Sequence, residues 1–265
     1  MAFKVHRHII FSLLLLFLVV SGCFEEQASK ENTSTPVNND AIKENNPGNI
    51  ISLENTTAAF DTLGEFEKSL IRAGLVNVKE LDTSFVIDLR YSTTNNFMGK
   101  DVYGDWVNAY LQKDVAEKLV LAQHFLRSKY PNYSIIIFDA ARPVSVQQKM
   151  WDTLNIPLAE KIQYLSNPQN RSLHNYGAAV DVSIVNEFGE EMDMGTPFDY
   201  FGELAYPSKE KEMLEAGKLT QKQIDHRRLL REVMGKSDFT SLPTEWWHFN
   251  SCSREEAKAR YNLIK

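Results

Sequence analysis

An acid in the middle of an apolar strand is the feature that most restricts what this chain can build. Ala178, Val180, Val182 and Ile184 alternate with Ala179, Asp181 and Ser183, the pattern of a strand with one apolar face. Asp181 falls on the other face, and a charge within a hydrophobic strand is costly unless something pairs with it. A metal ion would do so. His174 stands in the loop just before the strand, and Gly177 permits a sharp backbone turn between the two, so an imidazole and a carboxylate become two ligands. Glu245-Trp246-Trp247-His248 suggests the third. On a flat strand, residues three apart face opposite sides, so Glu245 and His248 share a cleft only if a bulge or turn intervenes. Two histidines and one carboxylate, with a fourth position left for water, form the ligand pattern of catalytic zinc sites, and Glu245 is then the candidate general base. His124, within a helix, and His226, in the charged run His226-Arg227-Arg228, read as structural or solvent-facing.

The rest of the chain leaves room for one sizeable core. It has 265 residues, 43% of them hydrophobic, with a formal net charge of −6. Such a composition excludes a collagen, a rod and a wholly disordered protein. Without a basic surplus there is nothing to neutralise phosphates, so nucleic acid is not an expected partner. Two cysteines cannot make a disulfide scaffold.

The front end reads as an address. Lys4 and Arg7 precede an apolar run from Ile9 to Val20, broken only by Ser12. That run is shorter than the roughly 20 residues a membrane span requires and has the shape of a secretory signal. Val20-Ser21-Gly22-Cys23 resembles the bacterial lipobox, which makes Cys23 the expected lipidation site and the mature N-terminus. Residues 1–22 are thus expected to be a lipoprotein signal peptide, and residues 23–62, polar and rich in Asn, Ser, Thr and Glu, a disordered tether. The protein is expected to be exported and lipid-anchored in the bacterial cell envelope.

The remaining region, 63–265, mixes helices and strands without a regular βαβ alternation, which points to an α+β fold. The pattern predicts helices over Phe66–Ala73, Asp114–Lys129 with Asp114 as cap, Val144–Leu154 after Pro143, and Gln221–Met234 ended by Gly235. It predicts strands over Phe85–Tyr91, Ser134–Phe138, Ala178–Ile184 and Glu245–Asn250.

Ser172-x-His174-x-x-Gly177-x-Ala179-x-Asp181 with Glu245-Trp246-Trp247-His248 resembles the zinc D,D-peptidases related to the vancomycin-resistance D-Ala-D-Ala dipeptidases. The likeness extends to the segment Tyr91–Lys100, to Asp139-Ala140-Ala141-Arg142-Pro143, to Met194-Gly195-Thr196-Pro197-Phe198-Asp199 and to Arg227-Arg228-Leu229-Leu230, all in the family's order. It implies a single domain with a central, mostly antiparallel sheet flanked by helices and a zinc cleft on the sheet, the D,D-peptidase/hedgehog-like arrangement. It implies one Zn²⁺ held by His174, Asp181 and His248, with Glu245 as base and acid and Arg142, at the cleft mouth, stabilising the oxyanion. Asp199 matches the residue that holds the dipeptide's ammonium group, and Tyr91 and Ser172 match substrate-contacting positions. The implied activity is hydrolysis of D-Ala-D-Ala or a short peptidoglycan-derived peptide.

The same chemistry would serve a D,D-carboxypeptidase trimming peptidoglycan stem peptides, although an acid placed for a free ammonium favours short substrates. A non-catalytic envelope lipoprotein would use the cleft only to bind peptide or wall. Ser208-Lys209-Glu210-Lys211 fits a serine-peptidase motif, but its companion motifs are missing and it sits in a charged run. Trp151, Trp246 and Trp247 read as core packing beside the site.

Overall fold

The computed structural model describes residue 60 and residues 62–265. The expected signal peptide, Cys23 and nearly all of the expected tether lie outside them. Among the described residues no helix is long and apolar enough to cross a membrane.

Chain entry follows the expected pattern. Helix α1 (Glu65–Arg72) buries Leu70 and ends at Gly74, whose φ of +89° suits glycine. Strand β1 (Leu75–Asn77) and the single turn α2 (Val78–Leu81) follow. The predicted strand over 85–91 shrinks to β2 (Val86–Ile87), because the chain winds into a short 3-10 turn over Arg90–Ser92. Leaving the sheet there carries the Tyr91 ring inward, and the Tyr91 carbonyl accepts from the Val102 and Tyr103 amides.

Strand β3 (Tyr110–Gln112) pairs with β1 and leads into α3 (Lys113–Lys129). Val115, Leu119, Ala122 and Leu126 recur at helical spacing and are all buried. Asp114 does not cap this helix. Its carboxylate instead accepts from the Tyr261 hydroxyl at 2.7 Å and pairs with Arg260, tying the C-terminal segment to the helix start. Strand β4 (Ser134–Asp139) precedes α4 (Val144–Thr153), which starts after Pro143 as the missing amide hydrogen of proline favours. Helix α5 (Leu158–Tyr164) follows.

The central sheet is completed by β5 (Ala179–Val185), β6 (Thr240–Ser241) and β7 (His248–Asn250), in the order β2-β4-β5-β7-β6. Only the β2–β4 pair is parallel. Every residue of β5 is buried, so its polar face is covered as thoroughly as its apolar one.

Between β5 and β6 lie α6 (Glu210–Glu215) and α7 (Gln221–Gly235), the latter started by Thr220 and Gln223 in a capping box. Gly235 is the last helical residue rather than the stop; the left-handed residue is Asp238, at φ +60°. Arg227 is fully buried, not part of a charged face. Its Nε donates to the Met194 carbonyl at 2.7 Å and its Nη2 to the Leu204 carbonyl at 3.0 Å, which fastens the loop carrying Asp199 to α7. Helix α8 (Arg254–Arg260) closes the chain, packed against the 3-10 turn over Leu173–Tyr176.

Candidate metal centre and active site

Strand register assembles the centre. Asp139 of β4 is the cross-strand partner of Asp181 on β5, and Asp181 is the partner of His248 on β7. Cross-strand partners share a sheet face, so two acids and an imidazole form one row over three adjacent strands. A register shift between Ile137 and Asp139 breaks β4 just where its chain turns out of the sheet toward Arg142.

His174 reaches this row from the 3-10 turn over Leu173–Tyr176. Ser172 caps that turn in a capping box with Asn175, and Gly177 closes it at φ +64°. A Cβ on Gly177 would stand 3.1 Å from the Leu75 side chain and 3.3 Å from the Gln112 amide nitrogen, so glycine is needed for space as well as for conformation. The turn is bolted to the β4–α4 connection: the Arg142 amide donates to the His174 carbonyl at 2.9 Å, and Asn175 Nδ2 donates to the Arg142 carbonyl at 2.9 Å.

The outer nitrogen of each imidazole is engaged. His174 Nδ1–H donates to the Ala140 carbonyl at 2.7 Å, and His248 Nε2–H donates to Asn250 Oδ1 at 2.8 Å. Each inner nitrogen therefore presents a lone pair, the arrangement that holds metal-ligating histidines. His174 Nε2 lies 3.1 Å from His248 Nδ1, and Asp181 Oδ1 lies 3.3 Å from the first and 2.9 Å from the second. Three acceptors facing one another with no donor among them call for a cation. Ligands about 2.0–2.1 Å from a shared tetrahedral centre would stand about 3.3 Å apart, close to these separations. The residues fit a zinc ion. All three are buried, with ligand atoms within 4.8 Å of one another. Burial opposes ionisation of Asp181, but positive charge on the facing imidazoles, when they are protonated, outweighs it and holds the carboxyl well below the usual carboxylate range, a part that a bound cation would take over.

Glu245 does not belong to a strand: β7 starts only at His248, and the bend over Trp246 and Trp247 is the turn that brings Glu245 and His248 into one cleft. Its carboxylate stands 3.9 Å from His248 Nδ1, with a side chain 16% exposed. Burial, together with the nearby Asp181 and Asp199 charges, pushes its pKa up to about 8, against the pull of His248 and Arg142. A cation among the three ligands would draw that value back toward neutrality, where a general base works best.

Arg142 lies deeper than a cleft mouth, only 5% exposed. Its Nε donates to Asp139 Oδ2 at 2.7 Å, Nη1 to Gln147 Oε1 at 2.9 Å, and Nη2 faces Asp181 Oδ2 at 3.4 Å. Asp139 also accepts from the Tyr103 hydroxyl at 2.7 Å and from the Ala140 amide. Gln147, fully buried on the first turns of α4, donates onward to the Ser166 carbonyl. In sequence, Asp139 is only part of the Asp-x-x-Arg run and Gln147 carries no motif, although a glutamine on the inward face of a short helix is itself a sign of a buried polar network.

Asp199 is one of three non-glycine residues at positive φ among the described residues, at +60°. The Tyr91 hydroxyl donates to its carboxylate at 2.9 Å, and the Phe97 amide approaches at 3.4 Å. Burial raises the Asp199 carboxyl to about 7, with Asp181 adding to the effect and the Tyr91 bond opposing it. Ser172 lines the cleft, but its hydroxyl accepts from the His174 amide at 3.3 Å, so it serves as a cap as well. Trp247 lines the cleft and packs on Phe198, whereas Trp246 is core and donates to Thr196. Trp151 lies under Lys161, apart from these. His124 is exposed near Asp82, and His226 bonds to the Asp193 carbonyl.

The metal centre opens into one cleft of about 410 Å³, which Gln147 and Trp247 also border. All of the site residues expected from the sequence among those described, namely His174, Asp181, His248, Glu245, Arg142, Asp199, Tyr91 and Ser172, line it.

Known proteins are similar to part of this sequence. The chain is 27% identical over 175 residues to a D-alanyl-D-alanine dipeptidase of Escherichia coli (strain K12), covering 66% of this chain and 83% of that protein. It is 25% identical over 177 residues to a D-alanyl-D-alanine dipeptidase of Enterococcus faecium, covering 61% of this chain and 83% of that one. Among solved structures, VanYB in complex with D-alanine-D-alanine aligns with a TM-score of 0.34 and 14% identity, over 57% of this chain and 76% of that one. The family model for D-ala-D-ala dipeptidases, Peptidase_M15, matches residues 71–263, and the chain belongs to that family.

Proposed function

We propose that this protein is a zinc-dependent dipeptidase that hydrolyses D-Ala-D-Ala or a closely similar D,D-dipeptide. The proposal extends to its place in the cell: exported, and held at a membrane by a lipid on Cys23. The convergence of two imidazole lone pairs and a carboxylate beside Glu245 and Arg142 carries the reading. Family membership supports the substrate class, and the lipobox-like Val20–Cys23 supports the location.

A zinc ion held by His174, Asp181 and His248 would supply Lewis-acid polarisation of the scissile carbonyl and acidify the attacking water. Glu245 takes the proton from that water and returns it to the leaving amine, a double duty suited to a carboxyl raised toward neutrality. Arg142 keeps hydrogen-bonding capacity beyond its bonds to Asp139 and Gln147, and directs it at the oxyanion; one such preorganised donor is worth about 3–4 kcal/mol. Asp199, supported by Tyr91, receives the free ammonium group, whose charge would strip the proton that burial otherwise favours. Because that acid rewards a free amino terminus, dipeptides are preferred over N-acylated stem peptides.

The test is a panel of D,D- and L,L-dipeptides beside an N-acylated D,D-tripeptide, assayed with and without a zinc chelator. Cleavage of D-Ala-D-Ala that chelation abolishes and zinc restores is expected. Faster turnover of the acylated tripeptide would favour the carboxypeptidase, and zinc or peptide binding with no cleavage at any pH would favour a binding protein.

A further inference from the structure

Arg254 is the arginine that the chemistry above leaves unused. It is the first residue of α8 and lines the same cleft as the metal centre. Among the described residues, every other arginine makes a side-chain hydrogen bond or ion pair, and Arg254 makes none. The other cationic side chain of the cleft besides the histidines, Arg142, has its charge balanced by Asp139 and Asp181, and its remaining N–H capacity is committed to the oxyanion in the proposed mechanism. Arg254 is therefore the free positive charge of a cleft that otherwise presents Asp181, Asp199 and Glu245.

Its position gives that charge a direction. Helix α8 packs against the turn that carries His174, so Arg254 belongs to the wall of Ser172 and His174. Asp199 belongs to another wall, with Tyr91, Phe97 and Phe201. Glu245, Asp181 and His248 stand on further segments of the same cleft. A free dipeptide carries its ammonium on one residue and its carboxylate on the next, with the scissile bond between them. Its charge pattern matches an acid on one wall and an unpaired guanidinium on the other.

We propose that Arg254 binds the α-carboxylate of the substrate's leaving residue, and so selects substrates that end one residue after the scissile bond. The inference rests on the dipeptidase reading for its substrate and on the unpaired side chain for its site. A guanidinium suits the task because its planar fork matches both oxygens of a carboxylate.

The experiment compares D-Ala-D-Ala with its C-terminal amide. In the zinc-loaded Glu245→Gln protein, where turnover is suppressed, calorimetry should show the free acid binding about tenfold more tightly than the amide. Adding Arg254→Ala should erase that difference, and Arg254→Lys should keep part of it. With Glu245 intact, Arg254→Ala should raise KM for the acid about tenfold with a much smaller change in kcat, and leave the amide unaffected. An acid-to-amide preference that survives Arg254→Ala would overturn the proposal, as would undetectable binding of the acid to the Arg254 protein. Failure of the dipeptidase reading shows differently: no hydrolysis of D-Ala-D-Ala, while acid and amide binding still decide the role of Arg254.

Discussion

The floor of the cleft and its walls are built on opposite principles. On the floor, Asp139, Asp181 and His248 are held by strand register, and Arg142, His174 and Gln147 are tied down by bonds at 2.7–2.9 Å to partners that are themselves buried. The walls come from bends and loop segments: Glu245 before β7, Asp199 at a positive φ, Arg254 at a helix start with no partner. A metal centre tolerates little displacement, and register with buried hydrogen bonds fixes it. Substrate recognition is left to side chains that keep capacity for an incoming group. Damage to the floor should therefore remove metal and fold together, while damage to the walls should alter affinity and pH response with the metal retained.

The largest effect is expected on the floor. His174→Ala removes one of three ligands and should lose both bound zinc, read by elemental analysis, and all measurable hydrolysis. Glu245→Gln is the control from the wall: zinc stoichiometry should stay at the unmutated value, while kcat falls by about 10²–10⁴-fold, the usual worth of a general base. Normal turnover by Glu245→Gln would remove Glu245 from the mechanism.

Next comes the support of Arg142. Asp139→Asn takes away the charge that balances a buried guanidinium while keeping the side chain's size. Breaking one side of a buried pair costs about 3–5 kcal/mol, so denaturant unfolding should show a loss of that order. In the protein that remains folded, kcat should fall more than KM rises, because the proposed mechanism gives Arg142 the oxyanion to stabilise. A variant with unchanged kcat would make Asp139 a purely structural partner.

The contrast also explains what could be read from sequence. Floor residues carry their own signals: Asp181 breaks an apolar alternation, and Gly177 marks the turn that delivers His174. The period of a strand dictates which face Asp181 takes, so the metal set followed from local rules plus the resemblance. Asp139 and Gln147 were harder, because their work lies in partners 3 and 5 residues along a chain that first leaves the sheet and then enters a helix. Arg254 carries no sequence signal at all; a lone arginine after Ser253 gains meaning only once the fold leaves it unpaired in the cleft. The burial of Arg227, within the charged run His226-Arg227-Arg228, has the same origin. Its neighbours in sequence are charged, but the partners that justify its burial are carbonyls on a distant loop.

The smallest effect is expected at Asp199, and its sign separates wall from floor. Its carboxyl is raised by burial from an ordinary 3.8 to about 7. A carboxyl whose folded pKa lies above its unfolded one binds more protons when folded, so stability falls as pH rises through the window between those values. Asp199→Asn removes this penalty, and asparagine tolerates the left-handed backbone at φ +60°. The variant should match the unmutated protein in melting temperature near pH 4 and exceed it by about 2–4 °C at pH 8. Over the same range it should keep its zinc, yet bind D-Ala-D-Ala more weakly, with KM raised about tenfold by loss of a charged contact. Recognition of the ammonium group would then be maintained against the protein's own stability. A melting difference of the same size at pH 4 and pH 8 would show instead that Asp199 titrates as an ordinary surface acid, and the division between a fixed floor and responsive walls would lose this side of its support.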